Sequence, residues 1–217
     1  MNNFVVIPAY NEGERVRKVI TKVQQYTQNI IVVDDGSSDG TSSQAKDSGV
    51  SVLRHKVNLG KGAALKTGCD YALMQGAERI IVMDGDGQHD PQMIPVFLEA
   101  LKEKDIVYSC RKGADVMPLV LQFGNKVINI ALSKLSGSDI KDSQCGYRAF
   151  TADAYRKIRW NSQDYYMETE MILNAGRHKL RYSQIPIETI YSDKYKGTTV
   201  IDGVKIVMKM IGGRLSK

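Results

Sequence analysis

The sequence predicts an α/β protein built on a mostly parallel sheet with helices on both faces, and three observations lead there. Strand-like apolar runs alternate with segments of helical periodicity through the first half of the chain. Two of those runs, Ile30-Ile31-Val32-Val33 and Ile80-Ile81-Val82-Met83, end in acidic clusters. The chain has 217 residues, 42% of them hydrophobic, which is enough for a full core in one large domain or in two halves sharing a sheet.

Phe4 to Pro8 reads as the first strand. Val16, Val19, Ile20 and Val23 then recur at i, i+3, i+4 and i+7, one apolar helix face, and Asn29 to Asp34 follows as a strand, completing a βαβ unit. Ser51 to His55 is the next strand, Gly60 to Gly76 a helix with alanines and leucine inside, and Arg79 to Met83 another strand. Pro91 to Glu103 reads as a helix, with Asp90 as N-cap and Pro91 at the first helical position. Asp105 to Cys110 closes the series as a strand. Such sheets bind ligands beyond the carboxyl ends of their strands, where both acidic clusters lie.

The second half changes character. Residues 116–135 (VMPLVLQFGNKVINIALSKL) are rich in apolar side chains, with Lys126 and Lys134 beside them, and 201–211 repeats the pattern with Lys205 and Lys209. Periodicity leaves two readings equally open: core helices, or interfacial helices lying in a lipid headgroup layer. No apolar run is long enough for a membrane span, and Met1-Asn2-Asn3 runs straight into the first strand, so the sequence predicts neither a spanning segment nor a signal peptide. Three cysteines, Cys69, Cys110 and Cys145, have no C-x-x-C spacing; they predict small buried hydrophobes in a reducing compartment. The net charge of +6 favours anionic partners, but the lysines are spread along the chain without interleaved aromatics, which argues against nucleic acid.

The chemistry concentrates at two strand ends. In Asp84-Gly85-Asp86-Gly87-Gln88 two carboxylates one residue apart reach solvent at the end of a buried strand, a place to hold a hard divalent cation and a diphosphate. Asp-Gly-Asp-Gly is also ordinary turn chemistry. The second cluster, Asp34-Asp35-Gly36-Ser37-Ser38-Asp39-Gly40-Thr41, ends another strand and favours one shared crevice. A calcium loop fits less well, because Asp35, Ser37, Asp39 and Gly40 match the EF-hand pattern while its last position, which needs a bidentate Glu, falls on Lys46. Gly60-Lys61-Gly62 matches neither the dinucleotide fingerprint nor a Walker loop, so Gly60 and Gly62 predict helix-start packing, with Lys61 within reach of a phosphate.

Four segments in order, Ile7-Pro8-Ala9-Tyr10-Asn11-Glu12, Val33 to Thr41, Met83 to Pro91 and Asp142-Ser143-Gln144-Cys145-Gly146-Tyr147-Arg148-Ala149-Phe150, resemble the signature segments of family 2 glycosyltransferases, closest to the dolichol-phosphate mannosyltransferase branch and its polyprenyl-phosphate relatives. The resemblance implies a GT-A fold over a single domain, 1–217, with a nucleotide-sugar-binding half at 1–111 and an acceptor half at 112–217. It also implies a divalent cation, Mg²⁺ or Mn²⁺, inversion at the anomeric carbon, and a nucleotide-sugar donor, GDP-mannose first and a UDP-sugar as the alternative. A dolichyl or polyprenyl phosphate acceptor, a peripheral site on the cytoplasmic face of a membrane, and a separate membrane-anchoring subunit complete the implied setting.

Carried over by motif, Pro8, Tyr10, Glu12, Val33 and Asp35 would hold the nucleoside, while Asp84, Gly85 and Asp86 would meet ribose, sugar and diphosphate. Asp86 and Gln88, with Asp84 close by, would be the metal ligands, and Asp84, Asp86 and Arg111 the catalytic set, Arg111 on the leaving diphosphate. A metal and a guanidinium placed there stabilise charge where it develops. An acceptor phosphate needs no general base; for a hydroxyl acceptor Glu168 or Glu170 would serve, both equally readable as helix-start acids. The chain departs from the branch at Gln122, where an arginine is usual, and at Val200, where a lysine is usual, while Lys194 takes the place of a donor-site arginine, with Lys196 nearby.

Overall fold

The computed structural model describes residues 2–112, 129–130, 132–188 and 190. Lys194, Gln122, Val200, the segment 201–211 and most of 116–135 lie outside the described residues.

The described chain runs β1 (Asn3–Ala9), α1 (Glu14–Val23), β2 (Ile30–Asp34), α2 (Thr41–Asp47), β3 (Ser51–Arg54), α3 (Lys61–Met74), β4 (Arg79–Val82), a 3₁₀ turn (Pro91–Met93), α4 (Ile94–Ala100), β5 (Ile106–Arg111), β6 (Arg148–Thr151), α5 (Ala152–Ile158), α6 (Tyr166–Arg177) and β7 (Tyr182–Ile187). Residues 132–136 add a helical segment before β6. The seven strands form one sheet in the order β3-β2-β1-β4-β6-β5-β7. β1, β2, β3 and β4 pair in parallel, as do β5 and β7, whereas β6 runs antiparallel to β4 and β5. The observed architecture is the mostly parallel α/β sheet that the sequence predicts.

Successive strand residues point to opposite faces, so a strand that is apolar throughout is covered on both. Val6, Val33, Ile80 and Val82 join α3, α5 and α6 through Leu65, Cys69, Tyr155, Trp160 and Met171. Val5, Ile7, Val32 and Ile81 join α1 and α4 through Val16, Val19, Ile20, Val23 and Phe97. The buried face of α1 is the i, i+3, i+4, i+7 set read from the sequence. The approach of α3 needs Gly68, since a Cβ there would sit against Val6 Cγ1 and 2.9 Å from Val33 Cγ2.

The helix expected over 91–103 is divided into the 3₁₀ turn and α4. Pro95 explains the break: it has no N–H to give to a preceding turn, so it must occupy the first turn of a new helix. Asp90 is the expected cap, its carboxylate accepting from Gln92 N at 3.0 Å. All three cysteines are free, Cys69 and Cys145 buried. Among the described residues no helix is long and apolar enough to cross a membrane.

Candidate active site

The register sets the carboxyl ends of the first strands side by side: Ala9 of β1 pairs with Asp34 of β2, and Asp34 with Arg54 of β3. The loops that follow are stitched together. Asn11, held at φ 52°, donates its backbone N–H to Ser37 Oγ at 2.9 Å, and the backbone N–H groups of Glu12 and Gly13 both reach Thr41 Oγ1 at 2.9 Å. Glu12 pairs with Arg15 at 2.8 Å. Tyr10 stands exposed at the rim, and Pro8 and Val33 lie inside the sheet below it.

Asp34 and Asp35 face this scaffold. Asp34 is fully buried and accepts from Ser37 N at 2.9 Å, with Arg54 Nε 3.3 Å from its other oxygen. Asp35 accepts from Leu59 N at 2.9 Å and from Gly60 N at 2.8 Å, and its Oδ1 lies 2.7 Å from His55 Nδ1. His55 Nε2 in turn lies 3.0 Å from Thr67 Oγ1, so with Nδ1–H donating, Nε2 accepts. Asp35, expected at the nucleoside, thus also fixes the loop that leads into α3.

The Asp84–Gln88 segment carries the strongest electrostatics. Asp84 Oδ1 lies 2.9 Å from Lys61 Nζ and Oδ2 lies 3.3 Å from His89 Nε2. Lys61 continues to Glu168 Oε1 at 3.0 Å, and its ammonium stands 5.7 Å from the centroid of the Tyr165 ring. Burial alone would raise the Asp84 carboxyl, but Lys61 and His89 outweigh it and hold Asp84 far below the usual carboxylate range. Burial would lower Lys61, and Asp84 and Glu168 reverse that, so the ammonium stays charged. Asp86 lacks such a partner among the described residues: one oxygen accepts from Gln88 N at 2.9 Å, and burial, then the charge of Asp84, push its carboxyl upward.

The glycines around this cluster are spatial requirements. A Cβ on Gly146 would lie 2.7 Å from both Asp84 Oδ2 and Lys61 Nζ. Gly60, at φ 98°, and Gly62 press the start of α3 on to the carbonyls of Gln163 and Ser162. Lys61, read from the sequence as within reach of a phosphate, bridges a strand end and α6.

β5 is parallel to β4 across β6, so Arg111 lies at the same carboxyl end of the sheet. Its guanidinium grips Asp142 in a fork, Nε to Oδ2 at 2.7 Å and Nη2 to Oδ1 at 2.9 Å. Burial favours protonated Asp142, but the Arg111 bonds and charge win and hold its carboxyl below the ordinary value. Buried Arg148 ties the neighbouring loop down, donating to the carbonyls of Ser143 at 2.6 Å, Cys145 at 3.0 Å and Glu168 at 3.0 Å. The two glutamates separate: Glu170 accepts from Asn161 N and Ser162 N at 3.0 Å, a loop cap, while Glu168 belongs to the Lys61 network.

Among the expected site residues, Asp84, Gly85, Asp86, Gln88 and Arg111 therefore share the carboxyl end of the sheet with Pro8, Tyr10, Glu12, Val33 and Asp35. His89 joins them from within the Met83–Pro91 segment, five residues from Asp84, while Lys61 with Glu168 and Arg111 with Asp142 pair across 107 and 31 residues, separations that no local motif records. Asp86 and Gln88 offer hard oxygen donors, and the raised carboxyl of Asp86 marks a spot short of positive charge, so these residues fit a Mg²⁺ or Mn²⁺ completed by phosphate oxygens. Among the described residues no three His, Cys, Asp or Glu side chains form a metal-holding group by themselves.

Comparison with known proteins bears on the family and the fold. Residues 4–159 match the model of Glycosyl transferase family 2. The chain is 39% identical to an uncharacterized protein of Methanocaldococcus jannaschii, over 96% of this chain and 90% of that one. It is 30% identical to the UDP-N-acetylglucosamine–dolichyl-phosphate N-acetylglucosaminyltransferase of Methanococcus voltae, over 99% of this chain and 96% of the relative. Glucosyl-3-phosphoglycerate synthase from Mycobacterium tuberculosis, solved with Mn²⁺, UDP-glucose and phosphoglyceric acid, superposes with a TM-score of 0.76 at 17% identity, over 97% of this chain and 79% of that chain, a likeness of fold. With the GT-A architecture, the strand-end acids and the family match in agreement, the chain belongs to glycosyl transferase family 2.

Proposed function

We propose that the protein transfers a hexose from a nucleoside-diphosphate sugar to a dolichyl or polyprenyl phosphate, with inversion, and that GDP-mannose is the donor. The observation that carries the chemistry is Asp86, a half-buried carboxylate short of positive charge beside a charge-locked Asp84. The similarity to the Methanococcus voltae enzyme along nearly all of both chains supports the lipid-phosphate acceptor.

In this reading the acceptor phosphate oxygen attacks the anomeric carbon as the bond to the donor diphosphate breaks. That oxygen is already ionised at neutral pH, so no side chain need remove a proton. Arg111, kept in place by Asp142, presents guanidinium charge to the departing diphosphate. Asp86 and Gln88 would hold a divalent cation, which when bound would neutralise charge developing on that diphosphate. Glu168 Oε2, His89 Nδ1 and Gln144 Oε1 are buried without a hydrogen-bond partner among the described residues, and sugar hydroxyls are the kind of groups that would satisfy them. An acceptor with a lipid tail places the protein at a membrane surface, and soluble nucleotide sugars place it on the cytoplasmic face.

The name of the Methanococcus voltae relative favours a second donor, UDP-N-acetylglucosamine, on the same acceptor. The protein incubated with polyprenyl phosphate, Mn²⁺ and, separately, labelled GDP-mannose, UDP-glucose and UDP-N-acetylglucosamine distinguishes them by label extracted into the organic phase. Label from GDP-mannose is the expected result; label from UDP-N-acetylglucosamine alone replaces the donor, and no lipid-extractable label from any donor sinks the proposal.

A further inference from the structure

Both oxygens of Asp84 are engaged by cationic or donor groups of the protein itself, Oδ1 by Lys61 and Oδ2 by His89. Lys61 cannot swing aside freely. Its backbone starts α3 against the 162–163 carbonyls, its ammonium also holds Glu168, and Gly146 packs against both Lys61 Nζ and Asp84 Oδ2 with no room for a side chain. Moving it would strand Glu168, which is 2% exposed. A divalent cation on Asp84 would then sit beside a fixed ammonium and be repelled by it. Asp86 remains, a single carboxylate with one oxygen already on Gln88 N. Mg²⁺ and Mn²⁺ held by one carboxylate keep most of their waters and bind weakly, and substrate phosphates are their usual further ligands.

We infer that Lys61 is a positioning residue, the resident counter-cation of Asp84, and that it confines divalent-cation binding to the complex with a nucleoside diphosphate. This rests on Asp84–Gln88 being the metal segment of the transferase. With Lys61 in place, Asp84 stays turned to the donor while Asp86 and the diphosphate share the ion. Without it, Asp84 and Asp86 together form a two-carboxylate site that a cation enters unaided.

The test is Mn²⁺ binding, read by the electron paramagnetic resonance signal of free Mn²⁺ and by water-proton relaxation, with no donor present. Lys61→Met should bind Mn²⁺ at least about tenfold more tightly than wild type. Lys61→Arg should stay at the wild-type level, and Lys61→Met with Asp84→Asn should lose the gain. If Lys61→Met fails to fold, Lys61→Met with Glu168→Gln removes the second stranded acid and serves in its place. Wild type supplies a second check: corrected for Mn²⁺ held by the nucleotide alone, it should take up Mn²⁺ at least about tenfold more tightly with UDP or GDP than without either. Wild type binding Mn²⁺ equally well without a nucleotide, or a folded Lys61→Met binding no more tightly than wild type, overturns the inference. A wild type that forms no complex with Mn²⁺ and either nucleotide sinks the transferase reading itself, whereas a normal complex with no gain in the variant sinks only the role of Lys61.

Discussion

Two aspartates at the same end of the sheet behave oppositely because their neighbours differ. The Asp86 carboxyl is pushed up, first by burial and then by Asp84, so its ionised form is a net cost to the fold. A raised carboxyl contributes stability below its unfolded value and loses it as pH rises through the folded one. Asp86→Ala should therefore melt no earlier than wild type at neutral pH, by calorimetry, while transfer falls about a hundredfold or more. An unfolded Asp86→Ala would make this residue structural. Asp142 is the reverse case: burial is outweighed by Arg111 and the carboxyl is lowered, so its stabilisation is present above the unfolded value and is lost as pH falls through the folded one. Asp142→Asn should be less stable at neutral pH and should lose less stability than wild type below about pH 4. Equal acid slopes in denaturant titrations would contradict that.

At the scale of elements, α3 is the clearest lever, because Gly68 lets it lie on β1 and β2. Gly68→Ala gains up to about 1 kcal/mol of helix propensity but overpacks against Val6 and Val33, which costs about 1–3 kcal/mol. A net loss of stability in urea is expected, and no loss would show that α3 can shift. The strands β1 to β5 and the helices α1 and α3 were legible in the sequence from apolar runs or apolar periodicity, as in the three buried valines and one isoleucine of α1 or the apolar run of β4. α2 was not, since its buried residues are Thr41, Ser42 and Ala45, with no apolar stripe. β6 escaped because it is four residues long and begins with a buried arginine, and α6 because Glu168 and Thr169 sit on its buried side. At the site, Asp84 and Asp86 were readable from position at a strand end, whereas Arg111 was singled out only by the family resemblance. The partnership of Lys61 with Glu168 was not, because the two lie 107 residues apart in the chain and meet only through the fold.

For the whole molecule, the proposed metal segment lies at the carboxyl end of the central strand β4 and outside both core clusters. Chelation should accordingly abolish transfer, with Mn²⁺ restoring it, and leave the thermal midpoint unchanged; a lowered midpoint would mean that a cation also supports the fold. The sheet order has a temporal meaning as well. β5 leaves the ribosome before β6, yet among the described residues its partners in the sheet are β6 and β7, and β6 is the strand that joins it to β4. A nascent chain stalled before Arg148 can zip β1 to β4 together while β5 waits without a neighbour. Arg111 then has no fixed address, and protease treatment of such stalled chains should cut within 106–111 and spare β1, β2 and β4. The crevice is thus completed late in synthesis, when the strand that runs against its neighbours finally emerges.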